Sequence, residues 1–226
     1  MQTDILSQLL INGVLNGFVF SLVSVGLTLI YGVMGVVNFA HGSLMMIGMY
    51  ITFLFCAYLK LDPIISFPLT TALSALLGVI IYRVVVRKVL GLAKFTQLLS
   101  TFGLMVLFTN GAQAIFTSDY RLVKEPLVAG RISLFGAYIG IPQLVASVGC
   151  LIAVGMIYYL VNRTETGRAL VATAEDREAA ALMGIDTERV YELAWAVGAG
   201  CAGFAGALLA NYYYIFPQVG DIFGTI

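Results

Sequence analysis

Few side chains in this 226-residue chain are equipped to react or to bind, and they lie scattered through an apolar background. His41 is the single histidine, so a His-Glu-x-x-His zinc site is impossible. Cys56, Cys150 and Cys201 all fall in apolar stretches without a Cys-x-x-Cys pair, and they read as inert core thiols. None of Lys60, Lys88, Lys94 and Lys124 is followed by Ser or Thr, so the chain has no Walker A phosphate loop and is not its own ATPase. Gly-x-Ser-x-Gly is also missing, which disfavours a Ser–His hydrolase. What remains is one polar cluster, Asn38-Phe39-Ala40-His41-Gly42-Ser43, inside an otherwise apolar run.

Asn and His are costly in an apolar medium unless they find partners or water. Standing three apart, Asn38 and His41 share a face if the segment is helical. Two uses fit equally: the polar lining of a translocation pathway at the hinge of a broken helix, or an interhelical hydrogen-bond pair. A proton relay through His41 fits less well, because no membrane-embedded carboxylate is available to pair with it.

The background that must position this cluster is a membrane protein's. Hydrophobic residues make up 60% and charged residues 11% of the chain, and mean hydropathy is +0.97. Soluble domains run at about 45–50% and about 25%. Twelve basic and twelve acidic residues leave no net charge, so nothing points to nucleic acid. A helix needs about 20 apolar residues to cross about 30 Å of hydrocarbon. Six stretches qualify: roughly 5–31, 36–59, 64–86, 96–116, 141–162 and 191–211. The expected fold is an all-α polytopic bundle, a single transmembrane domain over 1–226, with a possible broken or re-entrant helix near 32–43. Met1-Gln2-Thr3-Asp4 has no basic n-region, so the first apolar stretch is read as a retained span.

Loop charges orient the spans. Arg83, Arg87, Lys88 and Lys94 cluster in one loop, and Arg163, Arg168, Arg177 and Arg189 in another. Lys60, Arg121, Lys124 and Arg131 fall on the opposite side. By the positive-inside rule the two clusters face the cytoplasm, and the N-terminus and the 118–140 loop face out.

Two further segments stand apart. In the sixth span, small residues recur every fourth position along two rows, Ala199/Gly203/Ala207 and Gly198/Ala202/Gly206/Ala210, which predicts a central helix packed by close backbone approach. Gly13 and Gly17 offer a weaker version in the first span. The loop 163–190 is Ala-rich and strongly charged, and its composition predicts a helix across 168–183 that stops at Gly184. Leu170, Ala174, Ala181 and Leu182 would form its apolar stripe. Its polar face is less basic than that of a membrane-surface helix, and docking into a cytoplasmic partner fits better.

These residues resemble a family. Tyr31-Gly32 with Asn38-Phe39-Ala40-His41-Gly42, Leu99-Ser100-Thr101-Phe102-Gly103-Leu104, Gly167-Arg168-Ala169-Leu170 and Glu178-Ala179-Ala180-x-x-x-Gly184 look like the permease subunits of branched-chain amino-acid ABC importers. The resemblance covers essentially the whole chain. It implies a multi-pass subunit of the bacterial inner membrane that passes an amino acid delivered by a periplasmic binding protein. It also implies a second, homologous permease subunit and two ATPase subunits that hold the ATP and Mg, with no cofactor or metal on this chain. Asn38, His41, Gly42 and Ser43 would then line the pathway. Arg168, Glu175, Asp176, Glu178, Ala179, Ala180 and Gly184 would form the coupling helix gripped by the ATPase, with Ala179 and Ala180 as a slim face seated in its groove. Urea, short amides or other amino acids are alternative cargoes, and a passive channel or secondary transporter is the alternative of another class. Ser43 stands where many relatives carry an acidic residue, and relatives continue for further spans, so a truncated reading is expected.

Overall fold

The computed structural model describes residues 2–123, 130–134 and 137–224. Six helices in it are long and apolar enough to cross a membrane. They are α1 (Gln2–Met34), α2 (His41–Leu59), α3 (Pro63–Ile81, continued by a π-helical turn, Tyr82–Val86, and by α4, Arg87–Val89), α5 (Lys94–Phe116), α6 (Ile141–Arg163) and α9 (Thr187–Leu209). Between the last two lie α7 (Glu165–Glu175) and α8 (Arg177–Leu182), and α10 (Val219–Gly224) follows α9.

Helix ends follow local chemistry. Lys60 closes α2 in the left-handed conformation. Asp62 then caps α3 by accepting the Ile64 N–H, with Pro63 in the first turn, where its missing N–H costs nothing. Asp186 accepts the Arg189 N–H, so α9 starts at Thr187, ahead of the apolar run that begins at Tyr191. Within 118–140, read above as a loop, β1 (Arg131–Leu134) pairs antiparallel with β2 (Ala137–Gly140), Arg131 opposite Gly140. Ile132 and Ile139 sit opposite each other, a cross-strand pair of the kind that stabilises hairpins. Lys124 lies outside the described residues.

The core is built around α9. Gly198, Ala199, Ala202, Gly203, Gly206, Ala207 and Ala210 are all buried, as the small-residue rows predict. A Cβ on Gly206 would collide with the Met45 carbonyl oxygen of α2. One on Gly78 of α3 would stand 2.6 Å from the Ala199 Cβ and from the Trp195 carbonyl oxygen. A Cβ on Gly198 would likewise stand 2.9 Å from the Gly26 carbonyl oxygen of α1, so three helices touch α9 backbone to backbone. The first-span glycines behave differently: Cβ atoms on Gly13 and Gly17 would meet nothing within 4 Å, so they make no close approach among the described residues.

The two ends of the bundle are distinct. At one, Arg83 bonds Glu192 and Arg87 bonds Glu188, so both basic loops lie together. At the other, Gln8 exchanges hydrogen bonds with the Tyr138 backbone, and Arg121 pairs with Ile215.

Overpacking of a filled interior typically costs about 1–3 kcal/mol. Gly206→Val is therefore expected to lower the melting temperature of the detergent-solubilised protein, whereas Gly13→Val leaves it unchanged. Equal melting of the two variants would contradict the central placement of α9.

Candidate functional site

Between α1 and α2 the chain is non-helical over Gly35–Ala40, which is the break anticipated near 32–43. Gly35 supplies the turn with φ +64, its N–H bonding to the Tyr31 carbonyl at 2.7 Å. The break does not stay at the end of α1. His41 Nε2 donates to the Val23 carbonyl at 2.9 Å, and Val23 is about 16 Å along the helix axis from the end of α1 at Met34. Thr101 donates to the Val37 carbonyl at 2.9 Å from a point about 10 Å inside α5. The segment thus turns back into the bundle, and α2 starts at depth. Irregular backbone at membrane depth is tolerated where protein buries it or where it lines a wet cavity.

Protein partners satisfy part of it. The Asn38 carboxamide accepts the Ala40 N–H at 3.1 Å, and the His41 N–H reaches the Asn38 carbonyl at 3.2 Å. Phe39 meets Phe102 of α5 edge to face, with centroids 6.5 Å apart. The side chains of Asn38 and His41 do not bond each other: Asn38 engages the local backbone, and His41 makes an interhelical bond to α1. Asn38, His41, Gly42 and Ser43 are all buried. Asn38 Nδ2, His41 Nδ1 and Ser43 Oγ nevertheless have no partner among the described residues. Since a carbonyl only accepts, His41 carries its proton on Nε2, and Nδ1 presents a lone pair. The break and the first turn of α2 therefore offer a donor, an acceptor and a hydroxyl. On the far side, α10 closes over it, where a Cβ on Gly220 would come within 2.7 Å of the Gly42 carbonyl oxygen. Nothing in the local sequence could have announced that contact, which joins residues far apart in the chain.

The second candidate, the charged stretch after α6, is an elbow rather than the one helix expected over 168–183. Asp176 adopts φ −151, ψ 106, and its carboxylate accepts the N–H groups of Glu178 and Ala179. Aspartate gains more as an N-cap than inside a helix, so it ends α7 and starts α8. Thr164 caps α7 in the same way, accepting the Gly167 N–H at 3.0 Å. The break reorients the apolar stripe. Leu170 is buried, but Ala174, Ala181 and Leu182 are exposed, and Thr173 and Ala180 turn inward instead. Ala179 and Ala180 therefore do not form one outward face; Ala179 alone is exposed. The elbow ends in a bare apolar tip, Leu182 and Met183 at 88% and 84% exposed, before Gly184 turns the chain back with φ +87. Glu175 and Glu178 are exposed, and Arg168 bonds Glu165 at 3.6 Å on the surface.

Loss of an N-cap carboxylate costs about 0.5–2 kcal/mol of local helix stability. Asp176→Ala should therefore speed amide hydrogen exchange at Glu178 and Ala179 while leaving α9 protected. Unchanged exchange there would mean that the elbow is not held by this cap.

Comparison with known proteins adds a second line. Residues 9–226 match the model of the family described as branched-chain amino acid transport system / permease component. The chain is 32% identical to the high-affinity branched-chain amino acid transport system permease protein LivH of Escherichia coli K12, over 96% of this chain and 75% of that protein. It is 29% identical to the corresponding permease protein BraD of Pseudomonas aeruginosa over the same shares. A probable branched-chain amino acid transport permease of Methanocaldococcus jannaschii is 30% identical over 89% of this chain and 65% of that protein. No solved structure matches the chain closely enough to count as a relative.

Proposed function

The chain belongs to the permease components of branched-chain amino acid transport systems, and from that premise we propose that it forms part of the membrane pathway for branched-chain amino acids in an ATP-driven importer. It is a multi-pass membrane transport subunit and not itself an enzyme. The partners that complete the reading are a second, homologous permease subunit, a periplasmic binding protein that delivers the cargo, and two ATPase subunits carrying ATP and Mg. The end bearing the elbow faces the cytoplasm, and the N-terminus and residues 118–140 face out, as the loop charges favour.

One observation carries the pathway assignment: unpartnered polar atoms buried where α2 begins at membrane depth. Each unsatisfied polar group in an apolar interior is costly, so a folded bundle keeps such atoms where they will meet a ligand or water. An α-amino acid is a zwitterion. The lone pair on His41 Nδ1 suits its ammonium, and the amide of Asn38 and the hydroxyl of Ser43 suit its carboxylate. Binding at a broken helix near the bilayer midplane is a recurring solution among transporters.

The elbow supplies the connection to the motor. Arg168, Glu175, Asp176, Glu178, Ala179, Ala180 and Gly184 build it, and the exposed Leu182–Met183 tip is shaped for a groove on the ATPase. A partner that binds inward- and outward-facing states unequally shifts their populations through that contact.

Two outcomes are expected. In proteoliposomes containing the whole transporter, leucine uptake should require ATP. It should fall at least tenfold when Glu178 and Gly184 are both replaced, because a Cβ at φ +87 strains the turn by about 1–2 kcal/mol. Cysteines at Asn38 or His41 should react with small polar thiosulfonates in at least one nucleotide state. ATP-independent uptake would favour a channel, and inert cysteines in every state would reduce the cluster to packing.

A further inference from the structure

The elbow and the break lie in different parts of the chain, yet a continuous set of contacts joins them. It begins at α8, where the Arg177 guanidinium lies 5.3 Å from the centre of the Tyr191 ring on α9. Three residues before Tyr191 and immediately after it, α9 presents Glu188 and Glu192. Both are held by the continuation of α3, Glu192 from the π-helical turn and Glu188 from α4. Arg83 grips Glu192 with two parallel bonds, Nε–Oε2 at 2.9 Å and Nη2–Oε1 at 2.7 Å. Arg87 Nε meets Glu188 Oε2 at 2.8 Å, and the Tyr82 hydroxyl donates to the same oxygen at 3.3 Å. Above this point α3 and α9 are already fixed by the Gly78 contact. The π turn leaves the α-helical hydrogen-bond ladder, so the end of α3 is the part that still needs holding.

That end leads straight into α5. Gln97 donates to the Leu90 and Leu92 carbonyls at 2.8 and 2.9 Å, which stiffens the turn between Val89 and Lys94. Thr101, one helical turn further along α5, makes the bond to the Val37 carbonyl, beside Asn38.

We propose that Arg83, Arg87, Glu188 and Glu192 form a clasp that joins α9 to the α3–α5 hairpin, so that displacement of the elbow is carried through α5 to the break at Gly35–Ala40. Isolated exposed ion pairs contribute little, but a bidentate arginine is the geometry that escapes that rule, and the Arg87–Glu188 pair stands beside it on the same two elements. The role of these residues is positional: they touch neither cargo nor nucleotide. The spacing matches, since Arg83 and Arg87 are four apart, as are Glu188 and Glu192, and each pair lies along one helix side. The inference rests on the importer reading above, which supplies the force on the elbow.

The test uses the whole transporter in proteoliposomes, reading leucine uptake and ATP hydrolysis side by side. Arg83→Glu and Glu192→Arg should each cut uptake per ATP at least fivefold while hydrolysis continues, and the double reversal should recover at least half of it. Glu192→Gln, which removes only the charge, should show the same loss in milder form. With Cys56, Cys150 and Cys201 replaced, cysteines at 83 and 192 joined by a short bifunctional thiosulfonate should transport normally, because a clasp that stays shut is not disturbed by a covalent one. Uptake per ATP unchanged in both single reversals, or transport arrested by the cross-link, would overturn the clasp. Failure of the wild-type protein to take up leucine would instead sink the importer reading, so the two are told apart.

Discussion

In hydrocarbon, burying apolar side chains gives no advantage over leaving them in lipid, so a helical bundle holds together where backbones come close enough for dispersion and polar contacts to act. Here that closeness is concentrated on α9. Its small residues let α1, α2 and α3 reach its backbone, and the Met45 carbonyl oxygen occupies space that any side chain at Gly206 would need. The arrangement has a consequence for α2. Because α9 holds α2 through Gly48, Met45 and Met49, the start of α2 does not need a long anchoring span on its other side, and it can begin inside the bundle. The polar break is possible because the packing next to it is so tight.

The partition of α9's surface also separates the rigid part of the molecule from the part that can respond. α5 leaves much of its apolar surface exposed, with Phe95, Leu99, Leu107 and Ile115 uncovered, and it packs on the rest along one stripe that includes Thr101, Leu104 and Ala112. At the far end, the Phe116 ring stacks on Tyr50 at 4.3 Å, and the Arg121 guanidinium lies over Phe116 and Phe53. A helix held along one narrow stripe presents less contact to overcome than α3, which packs against α9 through the close approach at Gly78.

How much of this was legible in the residues differs by feature, for physical reasons. The six spans were visible because hydropathy over about 20 residues is a strong local signal. The central place of α9 was visible because a run of small residues spaced by four admits few other readings. The break near Asn38 was visible as polar residues in an apolar run. The division of the elbow at Asp176 was missed, although Asp followed by helix formers is itself an N-cap signal; the Ala-rich composition on both sides outweighed it. The inward turn of Ala180 follows from that division, since a helix restarted at Arg177 presents a new face. The contacts of Gly220 with Gly42, of Thr101 with Val37 and of Arg83 with Glu192 had no local signature at all, because each depends on which helices become neighbours.

That last group is where the proposed coupling concentrates. A transporter must convert a push at one end into a change at the middle, and residues that do so have to connect elements distant in sequence. Composition and periodicity describe each helix by itself; they locate the elbow and the polar break but not the route between them. The proposed route uses charged side chains at exposed helix ends, where they stay hydrated, and a single hydroxyl inside the bundle, where Thr101 bonds a carbonyl that the broken helix leaves without its usual donor. Charged links suit the outer part of the proposed route because they stay hydrated there while they hold the helices together. A neutral hydroxyl suits the inner part, where an unpaired charge could not be kept. The change from charged to neutral contacts along the path follows the fall in polarity from the membrane surface inward.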